Sequence, residues 1–195
     1  MVSLDIEGAF DSAWWPAIRT RLAEENCPVN IRRVLDSYLR DRKVKIKYAG
    51  EEHMTDTDKG CVQGSIGGPI LWNLLIDPLL KDLERMGFYV QAFADDIVLL
   101  FSGDTEEINR QAREALDYVR AWGVKNKLKF APHKTKAMTM TNKLKYDTPR
   151  LSMGGTPISM ESEIKILGLT IDQKLTFNTH LAITCKKAKK ALYQL

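Results

Sequence analysis

Cysteine is scarce: Cys27, Cys61 and Cys185 are the only three in 195 residues, far apart and without a C-x-x-C spacing. An odd, scattered set excludes a disulfide framework and offers no zinc-ligand pattern, so a reducing compartment inside the cell, nuclear or cytoplasmic, is expected. No run approaches the roughly 18 apolar residues that a membrane span requires. The first residues, MVSLDIEGAFDS, carry an acid where a signal peptide needs a base. Neither secretion nor a membrane partner is expected. Internal repeats and low-complexity linkers are also missing. The glycines between Gly60 and Gly68 are not followed by Lys-Ser/Thr, which excludes a P-loop.

What is present suffices for a core. A hydrophobic content of 44% over 195 residues suits one soluble domain, or one with a small appendage. The net charge of +4 conceals a segregation: residues 1–124 hold 15 basic and 21 acidic side chains, whereas residues 125–195 hold 14 and 4. A basic C-terminal part suits a polyanion, because neutralising phosphates releases counterions. A solvated lysine-rich surface has the same composition.

Alternation in Val2–Ile6 predicts a strand with Val2, Leu4 and Ile6 on one face and Ser3, Asp5 and Glu7 on the other. Pro16 suits the first turn of a helix running to about Glu25. A second core-covering helix carries Ile31, Val34, Leu35, Tyr38 and Leu39 behind a cap at Asn30. Lys43, Lys45 and Lys47 alternate with Val44, Ile46 and Tyr48 in a strand with one basic and one apolar face, turning at Ala49–Glu51. An apolar helix is expected from Pro69 to about Met86, kinked at Pro78. Two apolar runs then flank Asp95-Asp96 as a tight hairpin with the acids at its tip. A capping box, Asp104 with Glu107, starts a helix striped by Ile108, Ala112, Ala115, Leu116, Val119 and Trp122. Lys136–Met140 reads as a further strand, residues 150–172 as a small β-meander turning at Gly154-Gly155, and Thr179–Leu195 as a helix. The class is α+β, with a βαββαβ core of the split βαβ, ferredoxin-like type. That pattern is shared by many functions.

In such a core the first strand can lie beside the hairpin, bringing Asp5 next to Asp95 and Asp96. Like charges this close ionise together only if cations join them. Hard oxygen ligands select Mg²⁺, with Mn²⁺ as a substitute. Two ions ~3.5–4 Å apart would clamp the attacking and leaving oxygens of an in-line phosphoryl displacement. An Asp-Asp pair also suits an ordinary hairpin turn, but these flanks are almost wholly apolar.

Asp5-Ile6-Glu7-Gly8-Ala9-Phe10-Asp11, Gln63-Gly64-Ser65, Phe93-Ala94-Asp95-Asp96, Lys134-Thr135 and Leu167-Gly168 resemble, in order, motifs A to E of reverse transcriptases, across nearly the whole chain. Trp72-Asn73 and Trp122 resemble the non-LTR retrotransposon enzymes of the insect type. The resemblance implies an RNA-directed DNA polymerase working by two-metal nucleotidyl transfer. Asp5, Asp95 and the carbonyl of Ile6 would hold the metals, with Asp95 bridging and Asp96 peripheral. Phe10 would lie under the nucleotide sugar and exclude a 2′-hydroxyl, with Gln63 and Gly64 near the incoming nucleotide. Lys134 would approach the triphosphate and protonate pyrophosphate. Leu167 and Gly168 would form the primer grip, and Lys186, Lys187, Lys189 and Lys190 would track the nucleic-acid backbone. Val62 departs from the family's usual proline.

The implied organisation is a palm over residues 1–148, a primer-grip β-meander over 149–176 and the start of a thumb helix over 177–195. The fingers segment would precede Asp5, in a longer polyprotein that could include an endonuclease. Implied partners are an RNA template, a DNA primer and dNTP. Two alternatives stay open: a palm fragment that binds nucleic acid without polymerising, and an RNA-templated RNA polymerase palm. Phe10 disfavours the latter. A metal-dependent nuclease would share the acids but not the need for Phe10, Gln63 and Lys134 together.

Overall fold

The computed structural model describes residues 1–62 and 64–193. Gln63, expected beside the nucleotide, lies outside the described residues, as do Gln194 and Leu195 at the end of the expected last helix. The fold is α+β, with five α-helices and a mixed five-stranded sheet among the described residues.

Strand β1 (Val2–Leu4) buries Val2 and Leu4 and leaves Ser3 half-buried, as its alternation demands. Helices α1 (Trp15–Glu24) and α2 (Val29–Tyr38) follow, with Pro16 in the first turn of α1. Two expectations fail at α2. Pro28, not Asn30, precedes it, and no side chain caps it. Nor does it bury a full face: none of its residues is fully buried, Val34 is 66% exposed, and Leu35 alone of its stripe lies half-buried against the core. Its apolar periodicity is real, but only Leu39, just beyond its end, is inserted in the core.

β2 (Lys43–Tyr48) and β3 (Glu51–Asp56) form a hairpin turning at Ala49-Gly50, both at positive φ, and every residue of the two strands is exposed. Its basic face is not free charge. Lys45 and Lys47 both pair with Glu52, and Lys43 lies 3.9 Å from Asp56.

α3 (Gly67–Arg85) starts two residues before Pro69, contains Pro78, and buries Leu71, Trp72, Leu75, Ile76, Leu79 and Leu83. β4 (Tyr89–Phe93) and β5 (Asp96–Leu100) form the acid-bearing hairpin. Phe93 pairs with Asp96, so the turn is Ala94-Asp95 and Asp96 already belongs to the strand. α4 (Thr105–Asn126) buries the expected stripe from Ala112 to Trp122, with Ile108 half-buried. Only half of its capping box forms: the Asp104 carboxylate accepts from the Glu107 amide at 2.9 Å. The Glu107 carboxylate turns to Arg110 and Gln111, and the Arg110 hydrogen bond is the main cause of its pKa falling to about 2.

β6 is shorter than the expected strand, Lys136–Ala137. Beyond it, Met1 and Met138 exchange backbone hydrogen bonds at 2.9 Å. The expected meander divides. β7 (Ser152–Met153) and β8 (Thr156–Pro157) form one hairpin at Gly154-Gly155, and β9 (Ser159–Met160) leaves to pair parallel with β6. β10 (Glu163–Ile166) and β11 (Leu169–Asp172) form a second hairpin before α5 (Asn178–Leu192). The physical reason is burial: Met153, Ile158 and Ile164 are drawn into the interior from separate short segments.

The sheet order is β4-β5-β1-β6-β9. β1 lies between β5 and β6, antiparallel to both, with Leu4 opposite Ile97. α1, α3 and α4 pack around this sheet, and its core includes Val2, Ile18, Trp72, Leu79, Ile97 and Leu116. No helix among the described residues is long and apolar enough to cross a membrane.

Candidate active site

Asp5 stands immediately after β1, one residue past the pair Leu4–Ile97, and Asp96 immediately precedes Ile97 on the neighbouring strand. Antiparallel pairing therefore brings both acids to the same end of the sheet, with Asp95 in the adjoining turn. The Asp96 carboxyl is raised above the ordinary carboxylate range, first by burial, then by the charges of Asp95 and Asp5. Asp95 and Asp5 thus both act on Asp96.

Asp5 is held from behind by the segment after α4. The Ala131 amide donates to the Asp5 carbonyl at 2.9 Å, and the Asp5 amide donates to the Thr135 hydroxyl at 3.3 Å. That hydroxyl donates in turn to the Ala131 carbonyl at 2.9 Å. Thr135 is fully buried, so this small polar network is satisfied where an open group would cost about 1–3 kcal/mol. Ile6 bridges Phe130, and the Glu7 amide donates to the Lys129 carbonyl. Lys134, next to Thr135, places its ammonium 3.9 Å from Oδ1 of Asp5.

Oδ1 of Asp5 is nearly inaccessible to water and has no hydrogen-bond partner. A buried carboxylate oxygen in that condition is costly unless a cation meets it. Among the described residues no group of three His, Cys, Asp or Glu side chains is arranged to hold a metal ion. Mg²⁺ characteristically uses one or two protein carboxylates and completes its shell with water and substrate phosphates. An Asp5 oxygen that has no hydrogen bond and only the Lys134 ammonium at 3.9 Å, with Asp95 and Asp96 alongside, fits that kind of partial ligand set.

Phe10 lies in a one-turn 3-10 helix, Phe10–Ser12, entered through Gly8 at φ +54°. The glycine-rich loop is stitched to it: Cys61 donates to the Phe10 carbonyl at 2.7 Å, Gly60 to Ala13 at 2.8 Å, and the Trp15 indole to Gly60 at 2.9 Å. Burial pushes the Cys61 thiol up to about 11, which leaves it unreactive. Gly64 needs glycine for its φ of +79°, although a Cβ there would meet nothing. The crowded glycine is Gly68, whose Cβ would lie 2.8 Å from the Val62 carbonyl oxygen.

Half-buried Phe10 stacks on Trp72, with ring centroids 5.2 Å apart and planes 22° from parallel. The Trp72 indole also donates to the Ala94 carbonyl at 2.7 Å. In the sequence Trp72 stood out only as a family mark on an apolar helix. The available signal was chemical, since a tryptophan buried on an apolar helix still needs an acceptor for its N–H. Thr135 was likewise visible only as part of a motif.

Leu167 and Gly168 form the turn between β10 and β11, at φ +48° and +85°. This turn faces the outer side of β4 and β5 across a cleft of about 510 Å³ lined by Tyr89, Phe93, Asp96, Val98, Leu167 and Phe177. Lys186, Lys187, Lys189 and Lys190 lie on α5, away from this cleft, all exposed and without ion pairs among the described residues.

A family model described as reverse transcriptase (RNA-dependent DNA polymerase) matches residues 1–171. The chain is 30% identical to a Pol polyprotein of the R1 retrotransposable element of Bradysia coprophila, over 92% of this chain and 18% of that protein. Against the probable RNA-directed DNA polymerase of the Drosophila melanogaster transposon BS, identity is 30% over 100% of this chain and 22% of the relative. The jockey polymerase of Drosophila funebris is 28% identical over 91% and 20%. The chain thus spans about a fifth of the length of these curated relatives. Among solved structures, apo telomerase of Candida tropicalis, truncated from its C-terminal domain, superposes with a TM-score of 0.54 at 14% identity, covering 91% of this chain and 34% of that one. That likeness concerns the fold alone. With the family match covering most of its length, the chain belongs to the reverse transcriptase family, among relatives of the insect non-LTR retrotransposons R1, BS and jockey.

Proposed function

We propose that this chain is the palm, with the beginning of the thumb, of an RNA-directed DNA polymerase in a longer retrotransposon polyprotein that also carries fingers. The observation that carries this is the strand order β4-β5-β1-β6, which sets Asp5 beside Asp95 and Asp96. It is the order of a ferredoxin-like βαββαβ core. On this reading residues 1–148 are the palm, 149–176 the primer grip and 177–195 the first thumb helix. The two hairpins at β7–β8 and β10–β11 then replace a continuous meander.

The reaction transfers a nucleotidyl group from dNTP to a primer 3′-hydroxyl along an RNA template, releasing pyrophosphate. Two Mg²⁺ ions, or Mn²⁺, held by Asp5, Asp95 and the Ile6 carbonyl, would supply charge neutralisation on the attacking and leaving oxygens. Asp96, the first residue of β5 and so directed to the opposite face from its neighbour Asp95, takes the peripheral place. Lys134 stands at Asp5 to approach the triphosphate and give a proton to the departing pyrophosphate. Phe10, steadied by Trp72, presents a flat hydrophobic wall to C2′ of the sugar. Gln63 and Gly64 line the nucleotide, and Leu167-Gly168 steers the primer end across the cleft from Asp96.

The test is extension of a DNA primer on an RNA template by the complete polypeptide. Incorporation of dNTP with Mg²⁺, its loss in EDTA, and increased rNTP use by Phe10→Val are expected. Preferential rNTP use by the unaltered enzyme would favour an RNA polymerase. Binding of the primer–template without extension would leave a nucleic-acid-binding module.

The lysines of α5 make a separate expectation. They can reach phosphates but show no base-reading pattern, so binding should be steeply salt-dependent and insensitive to sequence. Each phosphate contact adds about 0.9 to the slope of log affinity against log salt for duplex DNA. Replacing Lys186, Lys187, Lys189 and Lys190 by Gln should flatten that slope, and an unchanged slope would return them to ordinary solvated surface.

A further inference from the structure

We infer that Trp72 is a positioning residue that fixes the distance and angle between the sugar-facing ring of Phe10 and the turn bearing Asp95, and so takes part in setting sugar selectivity. The inference rests on the polymerase reading above.

Trp72 is fully buried on α3, with two directed contacts rather than packing alone. Its ring face stacks on Phe10, and its Nε1–H donates to the carbonyl of Ala94. Ala94 immediately precedes Asp95 and sits at φ +54°, a left-handed conformation that a residue with a Cβ adopts at a cost. An acceptor bond from a rigid, buried indole is a direct way to hold such a turn. The Phe10 backbone is fixed by the amide of Cys61, but its ring is half-buried and takes its support from Trp72. One side chain therefore spans the two walls between which the nucleotide sugar and the reacting phosphate would lie. Positioning errors of about 1 Å in such sites cost about 10²-fold in rate.

The two contacts can be separated. Trp72→Phe retains an aromatic face but lacks the donor, and Trp72→Leu lacks both. In the complete polypeptide, single-nucleotide addition to a preformed primer–template is measured with dNTP and rNTP, normalised by active-site titration so that misfolded protein does not count. Trp72→Phe is expected to lower the maximal rate about 5- to 100-fold, the effect of leaving one part-buried acceptor open in the turn before Asp95, while keeping the dNTP KM and the dNTP-to-rNTP preference. Trp72→Leu should lower the rate and also reduce the preference about tenfold or more, shifting it toward that of Phe10→Val.

Unchanged rate and preference per active site in both variants, with only less folded protein, would overturn the inference. If Phe10→Val relaxes sugar choice while Trp72→Leu does not, Trp72 falls and the polymerase reading stands. Failure of the unaltered enzyme to extend any primer would remove both.

Discussion

Asp5→Asn and Asp95→Asn are each expected to reduce primer extension by about 10³-fold or more in the complete polypeptide, with nucleic-acid binding and thermal stability little changed. Asp5 has a buried carboxylate oxygen without a hydrogen bond, and Asp95 sits exposed in a turn. Neither side chain contributes to the apolar core, so removing its charge should leave the fold. The chemistry is another matter. Charge neutralisation by metal is worth several kcal/mol in the transition state, and each ~1.4 kcal/mol is tenfold in rate. Asp5→Asn also leaves Lys134 without the acid it faces at 3.9 Å. Asp96→Asn should be milder, since Asp96 is the first residue of β5, paired with Phe93 beyond the turn, and has the peripheral place. Single-turnover assays over a Mg²⁺ series would rank the three, and equal losses would contradict the assigned order.

The second large effect is on stability. Gly123→Ala should lower the melting temperature although alanine is the better helix former by about 1 kcal/mol. A Cβ at Gly123 would lie 2.6 Å from the Leu128 carbonyl oxygen and 2.9 Å from the Phe130 ring. Here α4 ends in a left-handed turn at Lys127, which folds the chain back so that the Leu128 amide donates to the Gly123 carbonyl. Backbone cannot rotate out of the way as a flexible side chain can. Overpacking of this kind costs about 1–3 kcal/mol, or about 2–12 °C at the 2–4 °C per kcal/mol typical of this chain length. The displaced segment, 128–135, is the one that holds Asp5 through Ala131 and Thr135. Extension should therefore fall as well. Val124→Ala, next to it but 67% exposed, should leave the melting curve in place, and a Gly123→Ala melt as high as the parent's would show that the 128–130 segment yields freely.

The sequence alone determined the acids, their hairpin, and the principal core stripes on α3 and α4, because these follow from local periodicity and from residue chemistry. Motif order along the chain named the family before any contact was known. The failures were at places where local pattern and tertiary burial part company. α2 carries a helical apolar stripe and yet fully buries none of its own residues, leaving only Leu39 just beyond its end in the core. The basic strand β2 is answered by acids on β3 that only strand register brings opposite. The expected meander split because β9 found a parallel partner in β6, a pairing across more than twenty residues that no local signal specifies. The same holds for the site. Sequence placed Asp5, Phe10, Lys134 and Asp95 in one functional set by resemblance. What holds them together, the Thr135 hydroxyl behind Asp5 and the Trp72 indole between Phe10 and Ala94, was decided only by tertiary structure. Buried hydrogen bonds and ring stacks depend on which distant segments share a low-dielectric interior, and periodicity along one segment carries no information about the other.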